Sequence, residues 1–168
     1  MPEYKENMAT CFVMQPFDRA KFDGRYRDIF KPAIEAAGFE PYRVDEDPST
    51  SIPIDQIQKG IREAAVCFAD ITDNNPNVLF ELGYAIASDK ELAIVRERNV
   101  RQKFPFDLRH RAIILYDTGT PSDYTTLGAK ITERLKAIDK KEVALDNLPR
   151  SRHEPKPRGD YLSLSGLL

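Results

Sequence analysis

The sequence predicts a three-layer α/β domain built on a five-stranded parallel sheet of order 2-1-3-4-5. Three observations predict it. Short apolar runs rich in β-branched and aromatic residues alternate with longer segments of helical hydrophobic spacing. The second apolar run contains Pro41, which suits an edge strand rather than a central one. The third run, VCFA, passes through a polar turn straight into a helix, the local pattern of an open parallel sheet.

Residues 9–14 (ATCFVM) are apolar enough for a central strand, and Gln15-Pro16-Phe17-Asp18 breaks it into a loop. A helix is expected over residues 23–37, with Ile29, Phe30, Ala33, Ile34 and Ala37 on one face. Pro32 inside it kinks or restarts the helix, and Gly38 caps its end. Residues 39–44 (FEPYRV) form the second strand and 45–51 a polar loop. The next helix covers residues 54–65 with Ile54, Ile57, Ile61 and Ala65 inward. Residues 66–69 form the third strand, which Asp70 ends, and Thr72-Asp73-Asn74-Asn75 is turn chemistry. Asn75-Pro76 marks a helix start, a capping residue followed by proline at the first helical position. Val78, Leu79, Leu82, Ala85 and Ile86 make that helix's core stripe. A fourth strand spans 91–95, and a basic segment follows over 96–111, read as a solvated loop or as a lid with Arg109 or Arg111 on phosphate. Residues 112–116 (AIILY) form the fifth strand, and 125–138 a last amphipathic helix with Leu127, Ile131, Leu135 and Ile138 inward. From Lys140 the periodicity fades, so a domain over 1–140 and an extended tail or linker over 141–168 are expected. Right-handed crossovers and the edge-like second strand select the flavodoxin-like strand order.

Composition narrows the function classes. A chain of 168 residues buries one substantial core. A formal net charge of -2 argues against a nucleic-acid groove. No apolar run is long enough to span a bilayer, and the polar start MPEYKENMAT does not read as a signal peptide. Cys11 and Cys67 fall in expected buried strands and read as core residues of a reducing compartment, so a cytoplasmic location is expected. With two histidines and no ligand-spaced cluster, no metal site is expected.

The expected strand order puts residues 15–18 and 70–77 on either side of one crevice, with Arg43 and Asp45 within reach. Glu81 sits on the flank of its helix stripe, beside Asn77 and Ala85. Helical side chains lean toward the N-terminus, so its carboxylate can point to the mouth where open α/β sheets bind ligands. The crevice then offers carboxylates (Asp70, Glu81, Asp45), amides (Gln15, Asn75, Asn77), a cation (Arg43) and aromatic surface (Phe17, Tyr84). It has no serine–histidine pair, and the GxGxxG and P-loop glycine patterns are absent, which argues against Rossmann dehydrogenases and P-loop enzymes. Carboxylates with few other reactive groups suit substitution at an anomeric carbon, where the transition state is oxocarbenium-like. Each residue also has a plainer reading. Glu81 reads as a solvated flank residue, Asp70 as a turn cap bonding Thr72 or Asn74, and Asn75 as a helix cap. Arg43 and Asp45 read as a surface ion pair, Phe17 as a core plug, and Asp107 as a loop-shaping residue.

Four stretches together, FVMQPFD (12–18), RVDED (43–47), ADITDNNPNVLFELGYA (69–85) and PFDLRHR (105–111), resemble the nucleoside 2-deoxyribosyltransferase-like and TIR-like superfamily, and more narrowly bacterial TIR-like nucleotide-binding domains. The resemblance covers roughly residues 10–140, and NPNVLFELGYA is its most specific block. It implies that Glu81 is the glutamate that attacks C1′ in the transferases or is required for NAD cleavage in TIR enzymes. It implies that Asp70 lies at the base- or sugar-binding side and that Asn75 falls near a sugar contact, as an amide where the transferases tend to carry an acid. The implied activity is cleavage or exchange of an N-glycosidic bond in a nucleotide or nucleoside, with NAD as a possible substrate and no cofactor. Gln15, Phe17, Arg43, Asp45, Asn75 and Asn77 would then bind the substrate. The alternative it implies is a non-catalytic nucleotide-binding or self-assembling module; in either case a homo-oligomer is expected.

Overall fold

The structure is a computed structural model that describes residues 8–44, 54–101, 103, 105, 108 and 110–146. Five strands form one sheet: β1 (Ala9–Met14), β2 (Phe39–Tyr42), β3 (Val66–Asp70), β4 (Leu92–Glu97) and β5 (Ile113–Tyr116). All neighbouring pairs are parallel, and the order is β2-β1-β3-β4-β5. This is the flavodoxin-like arrangement that the alternation of elements predicts. Pro41 lies in the edge strand β2, opposite Cys11, where a missing N–H leaves no gap inside the sheet.

The first helical rod has three parts: α1 (Lys21–Arg25), a π-helical segment (Tyr26–Phe30) and α2 (Lys31–Ala36). Pro32 explains the division. It lacks an N–H and its ring crowds the preceding turn, so the helix widens to a π turn, and the Lys31 N–H reaches back to the Tyr26 carbonyl. Gly38 then takes φ +95, which lets the rod stop and turn into β2. The other helices are α3 (Ile54–Glu63), α4 (Pro76–Ala87) and α5 (Pro121–Asp146).

Two cores flank the sheet. On one face Val13, Phe68, Val95 and Tyr116 meet Phe30 and Ile34 of the first rod and Leu127, Ile131 and Leu135 of α5. On the other, Phe12, Met14, Cys67, Ala69 and Ile94 meet Ile61 of α3 and Val78, Leu82 and Ala85 of α4. Successive strand residues alternate between these cores, as the pleat requires. Cys11 and Cys67 are both free and buried, one in each core.

Gly60 is needed for close packing. A Cβ there would stand 2.7 Å from Phe12 Cε2, and Phe12 is only 1 % exposed, so its ring has nowhere to go. Gly60→Ala is expected to destabilise the fold by about 1–2 kcal/mol despite alanine's better helix propensity. Urea denaturation followed by circular dichroism would register this as a lower midpoint.

Some expectations need correction. Ile54, expected inward, is 52 % exposed: it is the first residue of α3, whose opening residues Asp55 and Gln56 are exposed as well. β4 continues through Arg96 and Glu97, expected in a basic loop, because both pair with β5 opposite Leu115 and Tyr116. α5 runs as far as Asp146, past the point where its core-facing repeat ends at Ile138 and into the stretch expected to be extended. Asp45, Asp107, Arg109 and residues 147–168 lie outside the described residues.

Candidate functional site

The turn between β3 and α4 is built as the sequence dictates. Asn75 is the N-cap of α4, and its side-chain oxygen accepts from the N–H groups of Asn77 (2.9 Å) and Val78 (3.4 Å). The Asn75 N–H itself donates to Asp73 Oδ1 at 3.0 Å. Asn74 takes φ +54 and ties the turn to the next loop, accepting from Arg96 Nη1 and donating to the Lys103 carbonyl. Asn75→Ala should therefore lower stability by about 1 kcal/mol through the lost cap, read as a shift in thermal midpoint.

α4 presents Glu81 on its flank, one turn beyond the exposed Asn77 and one turn before Tyr84. Tyr84 accepts a hydrogen bond from the Arg62 guanidinium of α3, so this flank faces the seam between the two helices. Glu81 is half-buried, and among the described residues it has no hydrogen-bond or ion-pair partner. Burial alone pushes its pKa up to about 7. A carboxyl group held in this way is strongly attractive to a cation.

Asp70 lies elsewhere. It was expected either as a crevice acid or as a turn cap; it follows Phe68 in the strand alternation and so turns to the face opposite α4. It is 0 % exposed. Its carboxylate accepts from the Thr72 N–H (3.0 Å), the Thr72 hydroxyl (2.5 Å) and the Tyr116 hydroxyl (3.4 Å). The turn-cap reading therefore describes its contacts, and the partner is Thr72. Burial lifts its pKa to about 6 against these bonds.

The Asp70 cluster continues through residues that sequence reading missed. Arg25 donates to the Tyr116 hydroxyl (2.8 Å) and to Glu97 (2.9 Å). Glu97 also accepts from Lys21 Nζ and from the Thr118 hydroxyl. Burial pushes Glu97 up, but the hydrogen bonds from Lys21 and Arg25 outweigh it and hold the carboxyl below its usual range. No local signal in the sequence marks these residues as partners, since α1, β4 and β5 meet only in the folded sheet.

The remaining candidates form a third group around the end of β1. Gln15 is buried and donates to the Phe22 carbonyl at 3.2 Å, while its Oε1 has no partner. Arg43 is 4 % exposed, pairs with Asp23 at 2.9 Å, and lies over the rings of Tyr26 (4.4 Å) and Phe17 (4.9 Å). It was expected as a surface cation and is instead packed between the β1–α1 loop and the π-helical segment. Phe17 is 49 % exposed, so it is not a core plug; its ring carries the Arg43 guanidinium.

No protein-family model matches the chain, and no curated protein matches it. Solved structures do. The Clostridium botulinum CMP N-glycosidase BcmB aligns at 16 % identity over 70 % of this chain and 96 % of that one, with a TM-score of 0.49. The TIR domain of the Toll-related receptor TRR-2 from Hydra magnipapillata aligns at 14 % identity over 73 % and 98 %, with a TM-score of 0.52. The solution structure of BlsM aligns at 20 % identity over 86 % and 97 %, also at 0.52. The last two likenesses establish a shared, TIR-like α/β fold. Among the described residues, no helix is long and apolar enough to cross a membrane.

Proposed function

We propose that this chain cleaves or exchanges an N-glycosidic bond in a nucleotide-type substrate, with Glu81 as the reacting carboxylate. The observation that carries the proposal is the half-buried Glu81 on the flank of α4, without a partner among the described residues. Leaving a carboxyl group there with no hydrogen bond is unfavourable for the free protein. The same environment stabilises positive charge developing at C1′ as the bond to the base breaks and its electron pair leaves with the base. Glu81 then either bonds C1′ or holds the cation until water or a second base arrives. The NPNVLFELGYA resemblance assigns the same residue.

Among the described candidates, Asn77, exposed one turn before Glu81, and Phe17, an exposed ring, are free to meet ribose and base. Gln15 and Arg43 act from behind, holding the β1–α1 loop and the Phe17 ring in place. Asp70 and Asn75 act on the turn that carries α4, not as direct contacts. NAD is the first candidate substrate, and a deoxynucleoside or its monophosphate the second.

The test is product analysis by chromatography. Concentrated protein is incubated with NAD, and separately with a panel of deoxynucleosides and their monophosphates, each beside Glu81→Ala. Free nicotinamide or free base that disappears in the variant supports the proposal and names the substrate class. Base exchange with an added second base distinguishes a transferase from a hydrolase. Silence across the panel, with nucleotide binding retained, favours a non-catalytic module.

A further inference from the structure

β5 is the last strand of the sheet. The Arg98 N–H donates to the Tyr116 carbonyl at 2.7 Å, so Tyr116 turns its backbone groups toward β4. By the two-residue repeat Ile114 does the same, while Ile113 and Leu115 turn theirs outward. Natural edges are blunted by a lysine, a proline, a bulge or a very short strand, and of these β5 has only its length of four residues. The stretch AIILY has neither lysine nor proline, it pairs with β4 without a bulge, and Leu115 is 36 % exposed.

Along this edge runs an open groove of about 520 Å³, floored by β5 and walled by one flank of α5. Its charged lining is Arg98, Lys130 and Arg134 against Glu133. Arg98 pairs loosely with Asp117 at 3.4 Å, whereas Lys130 has no ion partner among the described residues. Arg134 donates one guanidinium N–H to the Leu92 carbonyl, and its buried Nε has no acceptor.

We propose that this groove docks an extended, acidic segment of another protein, which adds a strand to the edge of β5 that no described strand covers. Main-chain bonds to Ile113 and Leu115 would supply affinity, and alternate side chains specificity. Ile114 and α5 belong to one face and Ile113 to the other. A segment alternating acidic and apolar residues thus sets its acids toward Lys130 and Arg134 and its apolar side chains toward Ile113 and Leu115. A second copy pairing edge to edge would bring the cations of both copies together. The chain's own residues 147–168 carry four cations against two acids, and their uncharged end, 161–168, has no acid to set against Lys130 and Arg134. The groove lies two strands away from β3, so the proposal does not rest on the reading of Glu81.

The probe is a fluorescein-labelled peptide of alternating glutamate and valine, with lysine in place of glutamate as the control, titrated into the full chain by fluorescence anisotropy. The acidic peptide is expected to bind and the basic one not. Lys130→Glu, a change at an exposed side chain, should weaken binding at least tenfold. Leu115→Pro, which removes an outward N–H but no β4 bond, should do likewise. If Leu115→Pro fails to fold by circular dichroism, Lys130→Glu decides alone. No binding of the acidic peptide at about 1 mM overturns the proposal. Equal binding by wild type and Lys130→Glu also overturns it. So does self-association in sedimentation that Lys130→Glu abolishes, which would give the groove to a second copy.

Discussion

Glu81→Gln is expected to reduce turnover of the N-glycosidic substrate by about a thousandfold or more while leaving nucleotide affinity within a fewfold. Glutamine keeps the shape of the side chain and removes the negative charge on which the oxocarbenium-like state depends. A pH profile should accompany the loss. The wild-type rate should rise with pH through about 7, where Glu81 becomes a carboxylate, and then level off. Stability should move in the opposite sense. The folded state raises the Glu81 pKa above its unfolded value, so it binds the proton more tightly than the unfolded chain does. Below the ordinary glutamate range both states are protonated and nothing is lost. As pH rises from there to about 7, the unfolded chain ionises freely while the folded one must hold an unpartnered charge. The wild type should therefore lose about 1–3 kcal/mol over that window, and Glu81→Gln should escape this loss. Denaturation midpoints at pH 5 and pH 8 measure it. A variant that turns over normally would remove Glu81 from the chemistry; a variant with unchanged pH dependence of stability would show that the carboxyl is solvated after all.

Arg25→Met should produce the largest loss of stability, about 3 kcal/mol or more, with a thermal midpoint lower by roughly 10 °C. Arg25 is 7 % exposed and is the cation through which Glu97 and Tyr116 are joined. Methionine fills similar space but leaves the Tyr116 hydroxyl without that donor and removes a positive charge that favours ionised Asp70. Asp70 would then hold its proton to a higher pH than about 6. Lysine at the same position keeps the charge but cannot reach both partners in the fixed fork that a guanidinium supplies, so it should rescue only part of the loss. Thermal denaturation of the two variants beside wild type tests this, and an unchanged midpoint for Arg25→Met would mean that the cluster contributes no net stability.

The cluster also marks where sequence reading stops. Strand order, helix placement and the cap at Asn75 were legible because their causes are local: alternation of short apolar runs with helical stripes, a proline on an edge, a capping residue before a proline. Glu81 was legible as a flank position for the same reason, since helical spacing orders the faces of α4 without reference to the rest of the chain. Asp70 had two readings, a crevice acid and a turn cap on Thr72 or Asn74, and the cap describes its contacts. Its spacing from Glu81 is short in sequence, yet the pleat sends it through the sheet to the opposite core. Whether a polar residue at a strand end opens to the crevice or closes on a buried partner depends on what the neighbouring strands bring, here Tyr116 from β5 and Arg25 from α1. Arg43 tells the same story from the other side of β1: its sequence neighbour Asp45 suggested a surface pair, while Asp23, Tyr26 and Phe17 enclose it.

By itself, then, the sequence determined the fold class, the strand order and the helix that carries Glu81, because hydrophobic period and turn chemistry act over a few residues. Only the tertiary structure decided which of the polar residues are left without partners. That outcome depends on contacts between segments as far apart as Arg25 and Tyr116, and no local pattern contains them.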